Sequence, residues 1–185
     1  MLRKRNMPVI ESIEEYHEVF CFPVIDYYRN LGFDFSIEPF KKIAVEYIDL
    51  YYGPMNKAEL FPDAVRILSE CQNKGIKQIV LSASESNKLL KQVKPFCIGS
   101  FFDEILGITN IYATSKVDLG KAYIKRAKPE KALLIGDTEH DKQVAGALGV
   151  DCILVAGGHQ SKRTLLSCGA AVVDRLPDVC GIIGI

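Results

Sequence analysis

The stretch LLIGDTEHD, residues 133–141, holds three apolar residues, a glycine, and two aspartates four positions apart. A short apolar run closed by glycine reads as a buried strand with a sharp turn behind it. Asp137 then stands just past the end of that strand, and Asp141 in the first turn of the helix that follows. In open α/β sheets, ligands bind outside the carboxyl ends of the strands, where helix N-termini also face. Both carboxylates can enter one such crevice. Adjacent hard oxygens suit Mg2+, which takes one or two carboxylates together with water and a substrate phosphate. The competing reading is structural, because aspartate also favours the N-terminal turn of a helix.

Outward from this stretch, short apolar runs alternate with amphipathic ones. PDAVRILSECQNKG reads as a helix closed by Gly75, KQIVLSAS as a buried strand, and SESNKLLKQVKPF as a helix. EILGI is a strand, KVDLGKAYIKRA a helix, ALLIG and CILVAG are strands flanking the helix DKQVAGALG, and SKRTLLSCG and AAVVD close the chain. Such alternation marks parallel βαβ units, so residues 59–185 are expected to form a Rossmann-like, doubly wound α/β core.

Residues 1–58 read as wholly helical. Ser12 and Glu15 have the spacing of a capping box, which starts a helix at Ile13, and Pro23 breaks it. Phe40, Ile43, Ala44, Tyr47, Ile48 and Tyr51 fall on one face of a further helix, with Ser36 as its expected cap and Gly53-Pro54 as its end. The boundary between the two regions is expected near Lys57 to Leu60.

Composition excludes several classes of function. The chain has 185 residues with 23 basic against 23 acidic side chains, which leaves no electrostatic footprint for nucleic acid or an anionic membrane. No apolar run approaches the roughly 20 residues of a membrane span. The six cysteines show no CxxC or zinc-type spacing and read as small buried hydrophobes in a reducing, cytoplasmic setting.

Two further residues stand where strand ends are expected. Ser82, followed by Ala83 and Ser84, ends the run IVLSAS and can donate to a phosphate oxygen; Lys116, in ATSKVDLGK, can neutralise one as a point charge. The order strand-Ser, Lys, strand-GDxxxD resembles the second, third and fourth motifs of the haloacid dehalogenase (HAD) superfamily, in particular its phosphoglycolate-phosphatase-like members with a helical cap. The resemblance spans roughly residues 10–175 and makes residues 1–58 the cap. It implies hydrolysis of small phosphate monoesters through an aspartyl phosphate, with Ser82, Ala83, Ser84 and Lys116 on the phosphoryl group and Asp137 and Asp141 on Mg2+. The aspartate pair favours phosphatases over the metal-free dehalogenases of the superfamily. Pro23, Asp26, Tyr27 and His159 are expected near the pocket, His140 on a solvated helix face, and His17 on the cap.

The family's nucleophile motif, DxDx[TV], is not found in these 185 residues. FDFS at 33–36 and YIDL near Asp49 lack the paired acids behind an apolar strand. The resemblance therefore implies an N-terminally truncated chain without the first core strand, its nucleophile and its general acid, and with activity close to nil. The absent strand is central in the family's sheet, so its loss is expected to leave a gap of roughly 10 Å between KQIVLS and ALLIG. MLRKRNMPVI is a poor filler for that gap, and exposed strand edges favour self-association. The alternative function is a non-catalytic regulatory protein that keeps a phosphate and Mg2+ pocket.

Overall fold

The Ser12 hydroxyl accepts the Glu15 amide at 3.1 Å, and helix α1 runs Ile13–Val19 behind it. This computed structural model describes residues 1–53, 58–108 and 116–185. Pro54 and Lys57, and with them part of the expected boundary, lie outside those residues.

Helices α2 (Val24–Asn30) and α3 (Phe40–Tyr51) complete the N-terminal region. The first helix already ends at Val19, before Pro23 can break it, and Pro23 stands instead at the N-cap of α2, behind a cis peptide bond. Ser36 is not the cap of α3. Its amide and hydroxyl both bond to Asp34 Oδ1, at 2.8 and 2.6 Å, so its polar groups are spent in a tight turn and the helix starts only after Pro39. Tyr28, Phe33 and Ile43 form the buried centre of this region, and Met1, Leu2 and Met7 pack against it. Arg5 adds hydrogen bonds to Glu38 at 2.7 Å and Glu46 at 2.5 Å. The first seven residues thus belong to the helical region and do not enter the sheet.

The remainder alternates as expected: α4 (Ala64–Asn73), β1 (Ile79–Glu85), α5 (Ser86–Val93), β2 (Glu104–Ile108), α6 (Val117–Ala127), β3 (Leu133–Gly136), α7 (Glu139–Leu148), β4 (Asp151–Val155), α8 (Lys162–Leu166), β5 (Ala171–Val173) and α9 (Asp178–Ile183). All strand pairs are parallel, but the strands form two sheets, β1-β2 and β3-β4-β5. In register, Leu81 faces Leu106 and Ile135 faces Ile153. Among the described residues no strand pairs with the second edge of β1 or of β3. Helix α6 packs on both β2 and α7 and so holds the two sheets together. Ile135, in the middle of β3, remains 44% exposed and lines an open cavity of about 540 Å³. An interior strand of a doubly wound sheet is ordinarily covered on both faces.

Ala145, Cys152, Leu154 and Leu165 centre the core beside β4. The six cysteines are free; Cys71, Cys152 and Cys180 are buried, whereas Cys97 is exposed, which departs from the reading of small buried hydrophobes. Among the described residues, no helix is long and apolar enough to cross a membrane.

Candidate functional site

Thr138 caps α7, and its hydroxyl and the Asp141 carboxylate form a reciprocal capping box across the first turn. Asp141 Oδ2 accepts the Thr138 hydroxyl at 2.7 Å and the amides of Asp137 and Thr138 at 3.1 and 3.2 Å. Gly136 makes this possible: a Cβ there would stand 2.4 Å from the Asp141 side chain. Asp141 is therefore a helix-start residue by its bonding, and that role was the competing reading of the GDTEHD stretch.

Its other oxygen faces Lys116. Lys116 Nζ lies 2.6 Å from Asp141 Oδ1 and 3.2 Å from the Leu81 carbonyl, at the N-cap position of α6. Burial works to raise the Asp141 carboxyl, but the Lys116 charge and hydrogen bond, Thr138 and the Asp137 amide outweigh it and hold it below the usual carboxylate range. An ammonium has three N–H donors, and among the described residues Leu81 and Asp141 take two of them.

Ser82, Ala83 and Ser84 occupy an irregular stretch of β1. The ladder passes from Leu81–Leu106 to Glu85–Ile108, which sets these three residues against Gly107 alone. Ser82 Oγ accepts the Ser84 amide at 3.0 Å, and among the described residues its hydroxyl proton has no acceptor, so it can donate to a ligand. The Ser84 amide is thereby used within the loop.

Asp137 Oδ2 accepts the His159 amide at 2.8 Å. Among the described residues, its Oδ1 has no hydrogen-bond partner. Gly158 gives Asp137 room, since a Cβ at that position would stand 2.1 Å from Asp137 Oδ2. Here the helical region docks: the Tyr16 hydroxyl lies 2.5 Å from His159 Nδ1, and His17 Nε2 lies 3.1 Å from the Gly158 carbonyl. His159 thus lines the same open cavity as Asp137 and Ile135, a place that its position after the CILVAG strand offered only as the lesser reading. Tyr16 is the residue that sequence reasoning missed, because its partner lies 143 positions away. His140 is half-buried with its ring 5.1 Å from Phe22, so it packs against the linker between α1 and α2 and does not stand on a solvated helix face.

Whether these residues fit Mg2+ turns on their uncommitted oxygens. Asp137 offers one, a hard donor of the right kind. Both oxygens of Asp141 are engaged, so Asp141 fits a metal only by exchanging its bond to Lys116. Among the described residues, no group of three or more His, Cys, Asp or Glu side chains is placed to hold a metal ion.

The site thus consists of Ser82 on one sheet, Asp137 and Asp141 behind the other, and Lys116 joining them. A family of α/β hydrolases accounts for both the fold and this set. The chain belongs to the haloacid dehalogenase-like hydrolases, whose family model matches residues 2–155. It is 27% identical over 132 residues to tyrosine-protein kinase PtkA of Mycobacterium tuberculosis (strain ATCC 25618 / H37Rv). That match covers 66% of this chain and 45% of the relative, so the chain spans about half the length of the curated relatives it matches. Among solved structures, a predicted phosphatase from Clostridium acetobutylicum matches with a TM-score of 0.79 at 19% identity, over 100% of this chain and 87% of that one. The Mycobacterium tuberculosis protein tyrosine kinase A matches with a TM-score of 0.77 at 20% identity, over 100% and 87%. A haloacid dehalogenase-like hydrolase from Streptococcus pneumoniae gives 0.78 at 19% identity, over 98% and 86%. These structural likenesses are of fold.

Proposed function

We propose that this chain carries the phosphate-binding part of a Mg2+-dependent phosphomonoesterase whose nucleophile strand lies outside these 185 residues. The observation that carries the reading is the placement of Lys116: it bridges Leu81 and Asp141 across the interruption between β1 and β3, and among the described residues one of its three N–H donors is unused. Ser82 donates its hydroxyl proton to a phosphoryl oxygen, and Lys116 offsets the charge of a second one. Asp137 would hold Mg2+ directly, with Asp141 joining on exchange of its lysine bond. When bound, the ion screens the phosphoryl oxygens from an attacking carboxylate. A strand seated between β1 and β3 would bring the two aspartates of DxDx[TV] to the same edge as Ser82 and Asp137. There the first attacks phosphorus as the ester P–O bond breaks, the second protonates the departing alcohol, and water activated by that second aspartate then cleaves the aspartyl phosphate to inorganic phosphate.

The PtkA relatives are named as kinases; kinase and phosphatase alike move a phosphoryl group, and water as the acceptor suits a family of hydrolases. The substrate is a small phosphorylated metabolite, met in a reducing cytoplasm where six free thiols persist. The unpaired edges of β1 and β3 also favour self-association.

A second reading, phosphate and Mg2+ binding without turnover, is favoured by the full occupation of Asp141. Phosphate release from a panel of monoesters, with and without Mg2+, separates the two. It is measured on this chain and on one extended by a strand carrying DxDx[TV]. The extended chain turns over with Mg2+ and the 185-residue chain does not; an inactive extended chain that still binds phosphate supports the second reading, and turnover by the short chain overturns the first.

A further inference from the structure

A second cavity, of about 490 Å³, opens between α1, the start of α7 and the segment 160–167. It shares no lining residue with the cavity over Asp137 and Ile135, and its size falls within the roughly 300–1,000 Å³ of small-molecule pockets. His17 and Glu18 of α1, Glu139 at the first position of α7, and Gln160 and Arg163 on the opposite wall line it. Two hydrogen bonds fix these walls. His17 Nε2 lies 3.1 Å from the Gly158 carbonyl, and the Glu139 amide donates to Gln160 Oε1 at 2.6 Å. Gln160 directly follows His159, whose amide holds Asp137, so one turn serves both cavities.

Gln160 separates this cavity from an ordinary surface hollow. Its residue is only 2% exposed, and because an amide N–H must meet an acceptor, the bond from Glu139 identifies the carboxamide oxygen and leaves the NH2 as the other end. Among the described residues that NH2 has no hydrogen-bond partner, yet none of their buried side-chain nitrogens or oxygens goes unsatisfied. The NH2 therefore keeps its access to the cavity that Gln160 lines and presents its donors there. Exposed Arg163 adds a guanidinium, and exposed Glu18 and half-buried Glu139 add two carboxylates. Among the described residues none of these three charges has an ion-pair partner, so opposite charges face one cavity while standing more than 4.0 Å apart. The acids do not form a metal cage, since no group of three or more His, Cys, Asp or Glu among the described residues is placed to hold an ion.

We propose that this cavity binds a free amino acid, with its carboxylate on the Gln160 NH2 and Arg163 and its ammonium on Glu18 and Glu139. A zwitterion answers both signs of charge at once, through hydrogen bonds in which both partners are ionised or one is. A simple anion would meet the two glutamates, and a simple cation would meet Arg163, so either gains one set of contacts and is repelled by the other. The assignment is independent of the phosphoryl-transfer reading, because none of Ser82, Lys116, Asp137 or Asp141 lines this cavity.

Calorimetric titration of the 185-residue chain tests the proposal with L-alanine and L-serine. Propionate and ethylammonium are the controls, being L-alanine without its ammonium and without its carboxylate. Both amino acids are expected to saturate one site, and L-alanine to bind about tenfold more tightly than either half-molecule. Arg163→Gln should weaken L-alanine about tenfold and leave ethylammonium unchanged, whereas Glu139→Gln should weaken it by a similar factor and leave propionate unchanged. Both variants are checked for folding by circular dichroism. Lys162→Gln, next to Arg163 but outside the lining, should bind L-alanine as the unaltered chain does. Absence of saturable binding for both amino acids, a half-molecule that binds as tightly as L-alanine, or an affinity for L-alanine that survives either Arg163→Gln or Glu139→Gln would overturn the assignment.

Discussion

Lys116 Nζ stands 2.6 Å from Asp141 Oδ1 with both side chains nearly buried, at 12% and 8% exposure. Through the Leu81 carbonyl the same ammonium reaches the other sheet. Lys116→Met leaves the Asp141 carboxylate buried without its charge partner, and is expected to cost about 3 kcal/mol in urea unfolding. Adding Asp141→Asn removes the stranded charge, so the double variant should lose less than the sum of the single losses. Strict additivity would mean that the pair carries no coupling.

Carboxylates held low, Glu46 and Asp141 among them, give a pH dependence with a definite sign. Arg5's hydrogen bond, against the opposing effect of burial and with help from Lys4, takes Glu46 down to about 2, and Asp141 is also lowered. A depressed folded value means that the unfolded chain binds the proton more readily as pH falls. The stability these groups confer is therefore present above about pH 4, the unfolded carboxylate range, and is lost as pH falls towards about 2. Thermal unfolding followed from pH 7 downwards should show this decline, and Asp141→Asn together with Glu46→Gln should flatten it.

Glycines near the site provide a set with an internal control. Gly136→Ala drives a methyl group to 2.4 Å from the Asp141 side chain and is expected to cost about 2–3 kcal/mol, with loss of phosphate binding. Gly146→Ala, exposed on α7 with nothing within 4 Å of the added carbon, should be neutral or stabilise by up to about 1 kcal/mol. Denaturant midpoints of the two variants are the comparison.

The docking of α1 on the 157–159 turn rests on two polar contacts, of which the Tyr16–His159 bond is the shorter at 2.5 Å. Tyr16→Phe keeps the ring and removes the bond, for an expected loss of about 1 kcal/mol. The NMR signal of the His159 ring reports it directly: it should shift in Tyr16→Phe and stay in place in Tyr123→Phe, which lies on α6.

The βαβ order and the helix start behind Ser12 were legible in the sequence because local periodicity and turn chemistry decide them, whereas the end of that helix at Val19, ahead of Pro23, was not. The Ser36 cap was misread because Asp34 competes for the same donors, which spacing alone does not reveal. Asp141 showed both of its roles in the sequence, and only the bonds to Thr138 and Lys116 reveal its present engagement as a helix-start carboxylate. The contact of Tyr16 with His159 was not legible, since it depends on docking between segments 143 residues apart. Where the sheet is interrupted could be inferred only from family resemblance: no local pattern in KQIVLS or ALLIG says that an edge goes unpaired.

On the proposed function, the interruption between β1 and β3 is where the nucleophile strand would sit, and hydrogen exchange at individual amides measures it. Ile153 and Leu154 of β4 are paired on both sides, whereas among the described residues β1 and β3 are each paired on one. Within Ile79–Leu81 and Leu133–Ile135, protected amides should alternate with fast-exchanging ones that face the gap, while the amides of Ile153 and Leu154 both exchange slowly. Uniform slow exchange along both β1 and β3 would contradict the account, because it would mean that something already fills the slot between them.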